Sequence, residues 1–280
     1  MGQVLDNPLG IIAGAGRFPF LVAEVARRAG RPVMAIGLRG LTDPSLRREV
    51  DCFRWSGVVR LGSWIRLFRR FGVREAIMAG SVRKADMYGR FRLLRYLPDW
   101  TSFRLWFFEV ADRRNDTILR AAADCMTRKG IVLTNSVQYC PEHLPGPGVL
   151  TRLQPTPAQQ KDIEFGWPIA KEMGRLDIGQ SIAVKEQEVI AVEAIEGTDH
   201  MIQRAGQLCR HGGWTLIKVA KPDQDLRFDV PTIGPDTIEN LKLNGGKALV
   251  FEAGKTLLID RDKLIEAADR AGIVVVAHQS

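Results

Sequence analysis

The stretch LGIIAGAGRFPFLVAEVARRAGRPVMAIGL, residues 9–38, decides the fold. LGIIAG (9–14) is a short apolar run ending in glycine, the pattern of a buried strand. PFLVAEVARRAG (19–30) spaces its apolar residues for a helix and stops at Gly30. RPVMAIGL (31–38) is a second strand. A helix between two such runs makes them parallel strands joined by a crossover, the unit of an α/β sheet.

The same rhythm continues outward. LGSWIRLFRRFG (61–72) puts Trp64, Leu67, Phe68 and Phe71 on one helical face. REAIMAGSV (74–82) reads as a strand followed by a turn. NDTILRAAADCMTRKG (115–130) reads as a helix, capped by Asn115 or Asp116 and closed by Lys129-Gly130, and IVLTNS (131–136) as a fourth strand. Residues 141–159, PEHLPGPGVLTRLQPTPAQ, hold five prolines and two glycines and read as a linker or long loop. Thr156-Pro157 then opens a helix through residue 174. Further on, SIAVK (181–185) and EVIAVEAI (188–195) form a hairpin. A helix follows over 198–210, a strand over 214–220 and a helix over 235–244. Strands at 247–253 and 256–260, a helix at 261–272 and a strand at 273–277 complete the chain. The expectation is two α/β domains: residues 1–150, Rossmann-like with a parallel sheet, and residues 156–280, smaller with a mixed sheet.

With 280 residues, one large or two modest domains are expected at roughly 100–200 residues each. Apolar residues at 45% and charged residues at 26% exclude a collagenous, disordered or disulfide-scaffold protein. No run approaches the roughly 18 apolar residues of a membrane span, and the first residues lack the basic start of a signal peptide. Cys52, Cys125, Cys140 and Cys209 contain no C-x-x-C pair, so reduced thiols and a cytoplasmic location are expected. Residues 1–150 carry 24 Lys and Arg against 13 Asp and Glu, net +11, whereas residues 151–280 carry 16 against 19, net −3. The basic half favours an anionic partner: phosphate, nucleic acid or an acidic membrane surface.

Several constellations carry chemistry. Gly14-Ala15-Gly16 sits between a strand and a helix, as a phosphate or sugar cradle or as a tight structural turn. A dinucleotide fingerprint would need Gly or Ala at residue 19, where Pro19 stands. Arg83 and Lys84 follow a strand's carboxyl end, where α/β sheets bind ligands; they suit an anion, or are ordinary loop charges. Residues 88–108 hold eight of the 21 aromatic residues, interleaved with Arg90, Arg92, Arg95 and Arg104. Three readings stand: contact with lipid or acyl chains, a core helix pair whose arginines reach outward, or single-stranded nucleic acid.

The densest cluster is AKPDQDLRFDVPTIGPDTI, residues 220–238. If extended, its spacing of two puts Lys221, Asp223, Asp225, Arg227 and Asp229 on one side. Carboxylates beside cations suit a divalent metal together with a pyrophosphate; the alternative is a charged surface loop. In EGTDHMI (196–202), Glu196 ends a strand, Gly197 allows a tight turn, and Thr198 or Asp199 caps the next helix. That helix start is an anion site or merely a capped end. His143, His200, His211 and His278 lack metal-ligand spacing, and there is no serine elbow, Walker lysine or zinc pattern. A hard cation held by carboxylates is the remaining metal option.

LGIIAGAGRFP, GSVRK (80–84), RRNDTILR (113–120), AIEGTDHMI (194–202) and KPDQDLRFDVPTIGPDTI (221–238) occur in an order and spacing that resembles a known family. It is the UDP-2,3-diacylglucosamine pyrophosphatases of lipid A biosynthesis, of the type unrelated to calcineurin-like metallophosphatases. The resemblance implies two α/β domains with a substrate cleft between them. It implies hydrolysis to UMP and 2,3-diacylglucosamine 1-phosphate (lipid X) with a divalent cation, Mg2+ foremost. It implies catalytic roles for Asp225, Asp223, Lys221 and Arg227, with Asp225 and Asp223 on the metal. Substrate contacts fall to Gly14, Gly16, Arg83, Lys84, Asp116, Glu196, Gly197, Thr198, Asp199, Gln224 and Thr232. A cytoplasmic enzyme peripheral to the inner membrane is expected, with no nucleic-acid partner, and a homodimer stays open. The rival expectation is a non-catalytic nucleotide- or nucleic-acid-binding protein, with salt-sensitive oligonucleotide binding and no metal-dependent turnover.

Overall fold

Leu9–Ala13 (β1) is apolar and buried at every position, as a strand covered on both faces must be. The computed structural model describes residues 5–82, 97–110, 115–222, 225–228 and 230–279. The chain divides into two units, Met1–Cys140 with Asp225–Asp229, and Pro141–Gln224 with Val230–Ser280.

In the first unit β1 leads to α1 (Phe18–Arg28), β2 (Val33–Leu38), β3 (Cys52–Ser56), α2 (Leu61–Arg70) and β4 (Glu75–Ala79). After it come α3 (Trp100–Arg104), continued by a π-helical turn at Leu105–Glu109, then α4 (Asn115–Thr127) and β5 (Val132–Leu133). Among the described residues the five strands form a parallel sheet of order β3-β2-β1-β4-β5. The order reverses between β1 and β4, so the loops leaving their carboxyl ends are the natural ligand edge. Trp64, Ile65 and Phe68 of α2 and Met126 of α4 pack with Met34, Ile36 and Leu38, and Phe228 packs against the same cluster.

The second unit contains β6 (Gly148–Val149), α5 (Pro157–Arg175), the hairpin β7 (Ser181–Lys185) and β8 (Glu188–Val192), α6 (Thr198–Leu208) and β9 (Trp214–Lys218). It continues through β10 (Thr232–Ile233), α7 (Pro235–Leu243), β11 (Gly246–Glu252), β12 (Leu257–Leu258), α8 (Arg261–Ala271) and β13 (Val274–His278). Its six-stranded sheet, order β6-β13-β11-β9-β7-β8, is mixed: β13, β11 and β9 are parallel, while β6, β7 and β8 run against their neighbours. Leu216 and Phe251 face one apolar layer with Ile202 and Leu264; Ile217 and Val250 face the other with Ile163 and Trp167.

Three local expectations need correction. β3 is not readable in the sequence, because CFRWS at the sheet edge leaves both Arg54 and Trp55 exposed and shows no alternation. The strand expected over 131–136 is paired only at Val132–Leu133; the Asn135 side chain accepts from Val137 N and turns the chain into a 3-10 segment. Residues 141–159 are not simply a linker. Val149 and Gly148 pair with Val276 and Ala277 of β13, and Leu150 N donates to Val275 O at 2.9 Å. The helix start at Thr156-Pro157 is as read: Thr156 Oγ1 accepts from Gln159 N, and Gln159 Oε1 accepts from Thr156 N.

Among the described residues no helix is long and apolar enough to cross a membrane. All four cysteines are free thiols.

Candidate functional site

At the switch point of the first sheet, the loops after β1 and β4 are joined to each other. Gly14 N donates to Ala79 O at 2.8 Å, while Ala15 N and Ser81 O, and Ser81 N and Ala15 O, pair at 2.9 Å. A Cβ on Gly14 would lie 2.7 Å from Ser81 O, and one on Gly80 (φ +91°) 2.5 Å from Ala15 O. These two glycines therefore serve the close approach of two loops, which commits the Gly14 and Ala15 N–H groups. Gly16 lies beyond the junction, with φ +91° and open space around it. It lines a shallow depression of about 440 Å3 with Arg17, Phe20, Leu41, Asp43 and Ser45. Arg83 and Lys84 lie outside the described residues. Asp116 belongs to α4, and its side chain is likewise outside them.

Asp225 and Arg227 are not extended, so the same-side spacing expected for residues 221–229 does not hold at 225–228. Phe228 N donates to Asp225 O at 2.9 Å, closing a turn. The Asp225 carboxylate folds over that turn: Oδ1 accepts from Arg227 N at 3.1 Å and Nε at 2.9 Å, and Oδ2 accepts from Arg227 Nη2 at 2.6 Å. The Arg227 guanidinium also lies 5.0 Å above the Phe228 ring. The Arg227 side chain, then its backbone N–H and the charges of Arg227 and Arg120, hold Asp225 below the usual carboxylate range despite partial burial. The same pairing keeps Arg227 charged. These residues group with the first unit, although their sequence neighbours belong to the second. Asp223 and Gln224 lie outside the described residues.

Lys221 belongs to the second unit, where its ammonium pairs with the Asp177 carboxylate. In the same unit the expected side-chain cap of α6 is absent. Gly197 (φ +85°) is the N-cap residue, and the Thr198 hydroxyl is used elsewhere. It donates to Glu193 Oε2 at 3.0 Å and accepts from Lys218 Nζ at 3.3 Å. Asp199 instead receives Asn240 Nδ2 on its carbonyl at 3.2 Å. Glu196 accepts from Arg204 at 2.6 Å and from Ala194 N at 3.1 Å. Burial works to raise the Glu196 carboxyl, but backbone N–H groups and Arg204 outweigh it and leave it below its ordinary range. Thr232 presents its carbonyl to Lys218 Nζ at 3.1 Å.

Sequence reasoning missed Lys218, Glu193 and Glu252, all less than 9% exposed. WTLIK and KALVFE carried a signal: a charged residue ending an otherwise apolar strand. Glu252 receives Lys171, Lys255 and the Ala220 N–H. Burial works to raise its carboxyl, but Lys255, Lys171 and Ala220 N–H hold it below its ordinary range.

Among the described residues no three His, Cys, Asp or Glu side chains converge as a metal cage. Magnesium does not demand one, since it is usually held by one or two carboxylates together with substrate phosphates. Asp225 offers one ionised carboxylate of that kind, its oxygens shared with Arg227.

Fold and site together define a two-unit α/β protein with paired ionised groups at strand carboxyl ends and on the 225–228 turn. Residues 8–143 match the LpxI N-terminal domain and residues 146–276 the LpxI C-terminal domain. UDP-2,3-diacylglucosamine pyrophosphatase LpxI of Caulobacter vibrioides is 34% identical over 279 residues, covering 96% of each chain. The chain belongs to the LpxI family.

Proposed function

We propose that this chain hydrolyses the pyrophosphate of UDP-2,3-diacylglucosamine to UMP and 2,3-diacylglucosamine 1-phosphate, a step of lipid A biosynthesis. The observation that carries the reading is the 34% identity to the Caulobacter pyrophosphatase, spread over 96% of both chains. In the reaction, water adds to one phosphorus, the bridging P–O bond breaks, and the two phosphates separate as monoesters.

Asp225 is the carboxylate we assign to this step. A carboxylate held acidic by Arg227 is a weak base, so it suits orienting water or holding a cation better than removing a proton. The divalent cation belongs to the same proposal, with Asp225 and Asp223 as its protein ligands. When bound, it supplies charge neutralisation for the pyrophosphate oxygens. Asp225 and Asp223 would hold the cation, and Arg227, whose guanidinium lies on the Asp225 oxygens, would supply donors to the phosphate oxygens. Lys221, Glu196–Asp199, Gly16 and the loop of Arg83 and Lys84 remain proposed substrate contacts.

Placement on the cytoplasmic face of the inner membrane is also part of the proposal. Exposed Trp100, Trp106, Phe107 and Phe108 beside Arg104 and Arg128 support it. The test is UMP release from the diacylated UDP-sugar, with and without a chelator. Metal-dependent release is expected. Oligonucleotide binding without any turnover would return the chain to the nucleic-acid reading.

A further inference from the structure

The segment that carries Asp225 is flanked in the chain by Ala220 and Thr232, both in the second unit, and each of these points is tied to a buried charged side chain. Glu252 ends β11 and is 4% exposed. Its carboxylate accepts from Ala220 N at 2.9 Å, from Lys171 Nζ at 3.0 Å and from Lys255 Nζ at 2.8 Å. Lys218 ends β9 and is 6% exposed. Its ammonium donates to Thr232 O at 3.1 Å and to the Thr198 hydroxyl at 3.3 Å. That hydroxyl donates to the Glu193 carboxylate at 3.0 Å and so links Lys218 to Glu193. Leu257 N adds a bond to Pro231 O at 2.8 Å beside the Thr232 point.

The two ties come from opposite faces of one sheet. β9 and β11 are adjacent and parallel, with Lys218 beside Phe251. Glu252 is the next residue along and so points the other way. It meets Lys171 on α5, whereas Lys218 meets Thr198 at the start of α6. Burying a carboxylate and an ammonium is costly, and well-packed apolar side chains serve stability as well or better. An apolar side chain, however, neither accepts from Ala220 N–H nor donates to Thr232 carbonyl. We infer that Glu252 and Lys218 are positioning residues for the Asp225 segment, fixing the two points between which it is strung. The inference rests on the reading of Asp225 as part of the reaction centre.

The test uses the full chain with Glu252→Leu, Glu252→Gln and Lys218→Met. For Glu252→Leu and Lys218→Met, kcat is expected to fall about 10-fold or more while KM changes less than about threefold. Amide exchange is expected to speed up at Ala220 and Lys221 and around Thr232, with the strands of the sheet keeping their protection. Glu252→Gln retains an acceptor for Ala220 N–H and recovers most of the lost kcat. Wild-type kcat together with wild-type exchange in both variants overturns the inference. So does loss of the cooperative melt, or faster exchange over the whole unit, because either makes these groups plain stabilisers. Absence of UMP release by the unaltered chain removes the proposed function instead, and the exchange measurement then decides the positioning by itself.

Discussion

With Arg227 donating to both of its oxygens, Asp225 stays ionised below the ordinary carboxylate value of about 3.9. The sign of the linkage follows. A carboxylate with a depressed folded pKa stabilises the fold fully above its unfolded value, and that stabilisation is lost as pH falls through the folded value. Asp225 should therefore remain charged through mild acid, and its protonation should not limit turnover near pH 5. Arg227→Met removes the guanidinium that holds the carboxyl acidic, so the acid limb of the pH–rate profile should move to higher pH. Asp225→Asn keeps the shape and removes the charge; it should cut kcat/KM by about 10²-fold or more while lowering the melt only slightly, through the weakened pairing with the part-exposed Arg227. Profiles of the two variants check both statements; an acid limb unmoved in Arg227→Met would show that Asp225 does not set it.

At the scale of elements, α3 and the π-helical turn after it are little explained by packing. Leu105 is its buried anchor, while Trp100 and Phe108 are 74% and 76% exposed. The segment is held in place by polar groups: Asp99 accepts from Ser102 N at 3.0 Å and from Ser63 N at 2.9 Å, and the Ser102 hydroxyl accepts from Leu61 N at 3.0 Å. One aspartate and one serine thus cap both α3 and α2. The rings are ordered outside this anchor: Trp100 stacks on Phe103 at 5.6 Å, and Phe103 meets Phe107 at 4.5 Å. Of the three sequence readings, a core helix pair is excluded for these exposed rings. Replacing Trp100, Phe103 and Phe107 by Ser should lower the melt modestly and keep it cooperative, since the rings pack on one another outside the core cluster. Binding to anionic vesicles and turnover of diacylated substrate should both weaken. Vesicle binding equal to that of the unaltered chain would remove this segment from the membrane proposal.

The whole molecule is not two beads cut at one point in the sequence. Residues 225–229 complete the first unit from far along the chain, and Phe228 packs against its apolar cluster. A fragment ending at residue 150 lacks that contribution, and a fragment starting at 156 carries Asp225 without the unit to which it belongs. Neither fragment expressed alone should hydrolyse the UDP-sugar, and the first should melt below its counterpart in the full chain. Full turnover by residues 156–280 would show that the first unit contributes nothing to the chemistry. The charge imbalance has a consequence at this scale too, since the basic character of residues 1–150 lies in the unit that carries the aromatic segment.

The sequence by itself determined the elements whose causes are local. The strand, helix and strand of residues 9–38, the hairpin of β7 and β8 and the capped start of α5 each depend on apolar period or on partners three residues apart. The motif run at 221–238 marked the right stretch of chain, and its spacing suggested the wrong shape, because the Asp225 turn is set by a side chain bonding back to Arg227. Only the tertiary structure decided the order of strands, the edge position of β3 and the junction of Gly14 and Gly80 that consumes two N–H groups of the glycine turn. It also brought Glu252 to Ala220 and Lys218 to Thr232, pairs separated by 32 and 14 residues. Patterns of period 2 or 3.6 report which face of an element is buried. They carry no information about which distant N–H or carbonyl a buried charge will meet, and that choice belongs to the packed sheet.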